Sequence, residues 1–358
     1  MSSRRISLKD IADRSGYSKN TVSLALRDST KLPANTKKKI KRIAKELNYR
    51  PNSRVNEAMG YMRSNRQSAF TETIGVLLGW RNMSKNDLAI SNQHLARTFE
   101  AIDAHAESLG FATDYLQIQE NELRPQRLLE IIKSRGIRGL IVPQMENRKS
   151  ELKLDLSNLA IAQIGRTVWS PQIDTIACNE AEVAILATEM LWKKGYRKIG
   201  FYFSNWSLRQ SKNRLQMGVM YCQQTMPEIE SIVLEVNKRL QTPTDVSNMD
   251  LLREEFVPWF KKHKPDVVVG IIPKLRYIIE EDLKLRVPKD VGLVQFDYVP
   301  KPGLEMAGVS HQKDLQAKHA VDFIASKLYH NQFGIPKSPI ELNVECKWID
   351  GSTIQQVG

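Results

Sequence analysis

From Thr71 onward, short runs rich in β-branched residues alternate with amphipathic segments, and no other feature of the chain restricts its fold as much. The strand candidates are Thr73–Leu78, Ala112–Tyr115, Gly139–Val142, Ala160–Ile164, Lys198–Tyr202, Ser231–Glu235, Val267–Ile271 and Gly292–Phe296. Helical periodicity fills the intervals over Gln93–Leu109, Arg124–Ser134, Glu180–Lys194, Leu208–Gln224 and Leu251–Lys262. Parallel strands cannot be joined by a tight turn, so each crossover needs a dozen or more residues, usually a helix. The alternation therefore predicts parallel sheets covered by helices on both faces, with any ligand bound beyond the carboxyl ends of the strands. The first strand is followed by neither Gly-x-Gly-x-x-Gly nor a phosphate loop, which argues against a nucleotide or dinucleotide enzyme.

The first 66 residues are of a different kind. They hold 17 Lys+Arg against 5 Asp+Glu, a net of +12, whereas the whole 358-residue chain carries +13. Nearly all the basic character is confined to one end, which points to an anion-binding module attached to an electrically balanced body. Three widely spaced cysteines, Cys178, Cys222 and Cys346, form neither a disulfide framework nor a metal-ligand cluster. The longest apolar stretches, such as Val267–Ile272, fall far short of a bilayer span, and MSSRRISLKD lacks the apolar core of a signal peptide. The expectation is a soluble, cytoplasmic protein with reduced thiols.

Within the basic end, Leu8, Ile11, Ala12 and Ser15 make the stripe of a short helix, with Ser7 before it and Asp10 three residues on. Gly16 then breaks it, because glycine adopts a left-handed conformation cheaply. Ser18 can cap a second helix through Leu26, whose inward face is Val22, Ala25 and Leu26. A third helix opens near Pro33–Thr36, turns Ile40, Ile43, Ala44 and Leu47 inward, and carries Lys37, Lys38, Lys39, Lys41, Arg42 and Lys45 outside. Two short helices around a glycine turn, followed by a third, predict a helix-turn-helix domain bound to double-stranded DNA. A lysine run alone is more often a solvated face; here the whole module is basic and the remainder neutral. The face of helix two opposite Val22 holds Asn20, Leu24 and Arg27, flanked by Ser23 and Lys19. Asparagine can pair with adenine, lysine can donate to guanine, and an exposed leucine can meet a thymine methyl. The alternative for Leu24 is packing on a neighbouring segment.

These residues carry a specific resemblance. Ser7-Leu8-Lys9-Asp10-Ile11-Ala12, Ser15-Gly16-Tyr17-Ser18-Lys19-Asn20-Thr21-Val22-Ser23 and Leu47-Asn48-Tyr49-Arg50-Pro51-Asn52 resemble the head of the lactose/galactose-repressor (LacI-type) family of bacterial regulators. The resemblance implies a DNA-binding set of Ser18, Lys19, Asn20, Thr21, Ser23, Leu24, Arg27, Asn52 and Met59. It also implies a hinge after Asn52 that becomes helical on DNA and inserts an apolar wedge into the minor groove. Val55, Met59 and Met62 form the stripe of that hinge, and Met59 is the preferred wedge; the alternative is a stripe that packs two hinge helices together. Leu24 stands where the family very often has arginine, which puts the usual operator sequence in question.

The body continues the resemblance through Ile74-Gly75-Val76, Gly195-Tyr196-Arg197-Lys198-Ile199-Gly200, Arg286-Val287-Pro288-Lys289-Asp290-Val291, Phe296-Asp297 and Asp350-Gly351-Ser352-Thr353. It implies a two-lobed, periplasmic-binding-protein-like (type I) α/β body with three crossovers and an effector in the cleft. The implied effector-binding set is Asp297, Arg214, Trp80, Arg166 and Asn179. Cys178-Asn179 replaces the usual Asp-Asn, Gly79-Trp80-Arg81-Asn82 lacks the common Asn-Pro-Phe, and Gly270-Ile271-Ile272-Pro273 replaces an Asn-Asp pair. A cleft that has lost polar groups suits a different or less polar molecule, or none. The alternatives are a structural carboxylate for Asp297 and a surface aromatic for Trp80.

The domains are expected to be residues 1–51 for the helix-turn-helix, 52–70 for the hinge helix and linker, and 71–358 for the effector-binding and dimerisation body. No His-Glu-x-x-His and no Gly-x-Ser-x-Gly elbow supports catalysis. His311 and His319, eight apart, would share a face if helical and are taken as surface or packing residues. Neither a metal nor another cofactor is expected. Together these expectations describe a homodimeric bacterial transcriptional regulator, a repressor at the nucleoid, controlled by a sugar or related metabolite on a near-palindromic operator. The rivals are a DNA-bound regulator without an effector, controlled by abundance or a protein partner, and an enzyme with a DNA-targeting head.

Overall fold

The structure is a computed structural model that describes residues 8–26, 32–47, 49, 72–79, 83–118, 125–145, 150–241, 243–270, 274–298, 300 and 305–357. The segment 52–70 lies outside these residues, and so do Ser7, Arg27, Asn52, Met59 and Trp80.

The head is built from α1 (Leu8–Ser15), α2 (Lys19–Leu26) and α3 (Ala34–Glu46). Gly16 takes φ +74° after α1, and Ser18 receives the Thr21 amide at 3.1 Å to start α2. Ile11, Val22, Ala25 and Ile40 are fully buried where the three helices meet, with Ala12, Ile43 and Ala44 beside them. Burial of these side chains, each contributing roughly 1.5–3 kcal/mol when large and aliphatic, holds together helices too short to persist alone.

The body opens with β1 (Glu72–Leu78), α4 (Lys85–Ser91), α5 (Gln93–Ser108), β2 (Phe111–Gln117), α6 (Pro125–Ser134), β3 (Gly139–Val142), β4 (Ser150–Glu151), β5 (Ala160–Ile164), β6 (Val168–Ser170) and β7 (Thr175–Cys178). It continues through α7 (Glu180–Lys193), β8 (Lys198–Ser204), α8 (Asn205–Gln210), α9 (Arg214–Thr225), β9 (Ser231–Asn237), α10 (Pro243–Ser247), α11 (Met249–His263) and β10 (Val267–Gly270). A helical turn at Leu275–Tyr277 then leads to β11 (Gly292–Gln295), β12 (Ala307–Ser310), α12 (Lys313–His330), β13 (Glu341–Val344) and β14 (Lys347–Ile349).

Two six-stranded sheets result. The first has the order β13-β7-β5-β3-β1-β2 and the second β14-β12-β11-β10-β8-β9; all pairings are parallel except β12 with β14. The chain passes between lobes three times, from β7 into α7, from β12 back into α12, and from β13 into β14. This is the two-lobed α/β architecture that the resemblance implies. Each sheet is buried on both faces, which explains why Gly139–Val142 and Val267–Gly270 are apolar at every position.

Two helical expectations need correction. The helix expected over Leu208–Gln224 is two helices, because Lys212 and Asn213 adopt left-handed φ of 50° and 61° after Ser211 folds its hydroxyl back on Leu208 O. The 18-residue α12 was not anticipated, because Gln316 and Lys327 are buried among its apolar residues and blunt the stripe. Gly218 lets α9 approach α7; a Cβ there would lie 2.3 Å from Ala181 O.

Lys327 is held inside by Asp174 at the start of β7, which joins α12 to the first sheet, and both side chains are less than a tenth exposed. Lys327→Met should leave Asp174 as an uncompensated buried charge and cost about 3–5 kcal/mol of stability in urea unfolding. A loss below about 1 kcal/mol would show that the pair contributes little.

Candidate functional sites in the head and the cleft

The head presents α2 over a rigidly closed turn. The Thr21 amide points at the Ser18 hydroxyl, which caps the helix, and the Thr21 hydroxyl lies 2.9 Å from that of Ser18. Lys19 is exposed, whereas Thr21, Ser23 and Leu24 are partly covered. Among the described residues, the apolar core of the head comprises seven buried side chains and six packed against them, and Leu24 is in neither group. It occupies the outer side of α2 as helical geometry predicts. The side chain of Asn20 and all of Arg27, Asn52 and Met59 fall outside the described residues. On α3, Lys38, Lys39, Lys41, Arg42 and Lys45 are exposed; Lys39 Nζ also sits 5.3 Å from the centre of the Tyr17 ring.

Several contacts among the described residues bridge the lobes. His94, near the start of α5, places Nδ1 3.7 Å from Asp297 Oδ2 of the loop after β11. Arg214, the first residue of α9, donates to Glu341 of β13 through Nη1 at 2.7 Å. Lys212 lies 5.3 Å from the centre of the Trp169 ring on β6.

The surroundings of Asp297 and the arginines differ from a set of free ligand donors. Asp297 Oδ1 stands 3.3 Å from His311 Nδ1, and His311 Nε2 stands 3.1 Å from Phe296 O. His311 is only 7% exposed and lies ahead of α12, whereas His319 lies on that helix and is half-buried; the two do not share a face. His311 is thus an interior base, not a surface residue. Burial, the largest single influence, lowers its pKa, but the Asp297 carboxylate and Cys178 together outweigh that and push it up to about 9. Both ring nitrogens facing acceptors is the geometry of an imidazolium. His94 goes the other way, because burial outweighs the attraction of Asp297 and lowers it.

Arg166 is buried after β5. Its Nε donates to Glu341 Oε2 at 3.0 Å, Nη2 to Glu341 Oε1 at 2.5 Å, and both terminal nitrogens to Cys178 O at 3.2 Å, while Nη1 also meets Glu180. These donors are spent on the protein's own acceptors, so Arg166 holds the lobe junction together instead of facing the cleft. Glu341 accepts from two guanidinium groups; burial opposes its ionisation, yet both arginines hold its carboxyl down at about 2. Asn179 caps α7 by accepting from Ala181 N at 3.2 Å. Glu341, Glu180, His94 and His311 are the site residues that the sequence patterns did not single out for this place. Among the described residues, no three His, Cys, Asp or Glu side chains are grouped to hold a metal ion.

The raised His311 sets a pH dependence with a definite sign. Its stabilisation is complete below the unfolded value of about 6.5 and is lost as pH rises towards about 9. The thermal midpoint should therefore fall between pH 6.5 and 9, and His311→Gln should remove that component of the fall. An unchanged slope in the variant would mean that His311 is neutral in the folded protein.

Comparison with known proteins places both parts. Residues 7–52 match the family model described as bacterial regulatory proteins, lacI family. The HTH-type transcriptional regulator MalR of Streptococcus pneumoniae is 22% identical over 300 residues, covering 78% of this chain and 88% of its own. The HTH-type transcriptional repressor PurR of Haemophilus influenzae is 21% identical over 345 residues, covering 94% and 96%. Among solved structures, the lac repressor dimer bound to operator and the anti-inducer ONPF aligns over 98% of this chain and 99% of its own, with a TM-score of 0.54 and 17% identity. A LacI-family regulator from Rhizobium etli reaches 0.58 over 80% of this chain and 100% of its own, at 17% identity.

Proposed function

From a head that matches the lacI family model over residues 7–52, we propose that the chain is a dimeric transcriptional repressor that reads a near-palindromic operator. The observation that carries this is α2, anchored by the Ser18–Thr21 cap and turning Lys19, Ser23 and Leu24 away from the helical core. One head offers few base contacts, so a two-fold dimer supplies a second at fixed spacing. The lac repressor dimer on its operator and the PurR repressors support this reading.

The body serves as the control element. The lac repressor with ONPF and a CelR–cellobiose complex support a small sugar-like effector between the lobes. Asp297 is the hydroxyl acceptor of that reading and Arg214 its clamp, and an effector engaging them would compete with His94, His311 and Glu341. Opening or closing the lobes would then change operator affinity; coupling of about 1–3 kcal/mol suffices for roughly 5- to 150-fold regulation. One observation favours a second reading, a regulator without an effector: Glu341 already occupies both arginines.

Leu24→Arg should fold normally and move base preference towards guanine at one position per half-site, by about 5- to 150-fold in site selection. Identical selected sequences would place Leu24 away from the bases. For wild-type protein, operator affinity should fall steeply with salt, log K dropping by roughly 0.9 for each phosphate neutralised in log-salt units.

A thermal-shift screen of sugars and sugar phosphates tests the cleft. A hit whose shift is lost in Asp297→Ala supports the effector reading, with the lost hydrogen bonds costing about 1–3 kcal/mol. A folded, operator-binding protein that no compound shifts supports the second reading.

A further inference from the structure

The three passages between the lobes bring together residues far apart in sequence. Cys178 ends β7 at the first passage, His311 precedes α12 at the second, and Cys346 lies between β13 and β14 at the third. In the first sheet Cys178 is the register partner of Val344, so Cys346 continues two residues beyond the position beside Cys178. Both cysteines are free and pack in the same cluster of the second lobe, Cys178 fully buried and Cys346 half-buried. Cys178 lies within interaction range of both Cys346 and His311, which act on its thiol in opposite directions. Cys222 is elsewhere, buried in α9.

We propose that Cys178 and Cys346 form a redox site in which a hydroperoxide converts the two thiols to a disulfide that ties the first passage to the third. Cys346 is the half-buried thiol and reacts first. Its thiolate attacks the peroxide, the O–O bond breaks, and the products are a sulfenic acid and water, or an alcohol from an organic peroxide. The Cys178 sulfur then attacks the Cys346 sulfur; the S–S bond forms as the S–O bond breaks, and the hydroxyl leaves with the Cys178 proton as water. Two thiols supply the two electrons that reduce one peroxide.

The surroundings suit that order. In the reduced protein, contact with Cys346 and burial hold the Cys178 thiol protonated, against the pull of His311. Oxidation of Cys346 removes the first of those influences and leaves the charged imidazole facing the sulfur about to react. In a reducing compartment such a bond is transient, which is the usual condition for a sensing disulfide. A disulfide demands Cα atoms about 4.4–6.8 Å apart, so it would set the separation of two of the three passages between the lobes. Its effect on DNA rests on the proposed regulator function; its chemistry does not.

The test treats reduced full-length protein with equimolar hydrogen peroxide, blocks remaining thiols, and maps peptides without reduction. The expected result is a linked Cys178–Cys346 peptide, reversed by dithiothreitol, with free thiols falling from three to one. In Cys178→Ser, the Cys346 sulfenic acid should persist and be trapped by dimedone. Sulfinic acid at Cys346 without a link, or a link through Cys222 or between chains, overturns the proposal. Operator affinity measured on both forms should differ by about fivefold or more, the lower end of allosteric coupling. A link without that difference overturns its effect on DNA binding. Absence of operator binding in either form would instead count against the regulator function and leave the peptide map to decide the redox site.

Discussion

A guanidinium taken out of water must be matched, because an unpaired buried charge costs several kcal/mol. Arg166 meets that demand at the junction of the lobes, and the matching carboxylates come from two different passages of the chain. Glu180 opens α7 just after the first, and Glu341 opens β13 just before the third. The Cys178 carbonyl supplies the remaining acceptor. Neutralising one side chain therefore fixes where β7, α7 and β13 sit relative to one another. Glu341 then extends the network to Arg214 in the second lobe, so the same ion cluster also bears on the angle between lobes.

The cleft is consequently a place where charge is already compensated. Asp297 lies between a buried, charged His311 and a neutral His94 that belong to opposite lobes. Arg214 shares its carboxylate with Arg166. An effector entering here, as proposed, would gain only the difference between its own hydrogen bonds and those it displaces.

Much of the fold could be read from periodicity. Gly139–Val142 and Ala160–Ile164 appear at their expected limits, and the head core of Ile11, Val22, Ala25, Ile40, Ile43 and Ala44 follows the predicted stripes. Periodicity failed where burial did not follow hydrophobicity. Gln316 and Lys327 look like solvent positions, yet both are buried in α12. The late strands β12, β13 and β14 are three or four residues long and carry exposed or polar positions, so no alternation was visible.

The sequence by itself determined where the basic module ends, that the body is a parallel α/β structure, and which face of α2 looks outward. These follow from local spacing, because side-chain direction repeats every 3.6 residues in a helix and every two in a strand. Tertiary structure alone decided which of the conspicuous polar residues are available to a ligand. Arg166 and Asp297 were singled out by type and position, but their partners Glu341 and His311 lie 175 and 14 residues away. Nothing in spacing along the chain shows that three passages between lobes bring a carboxylate to an arginine, a histidine to an aspartate, and one cysteine to another. Charge compensation acts over a few ångströms of space, and only the closed topology of the two sheets establishes which residues share that space.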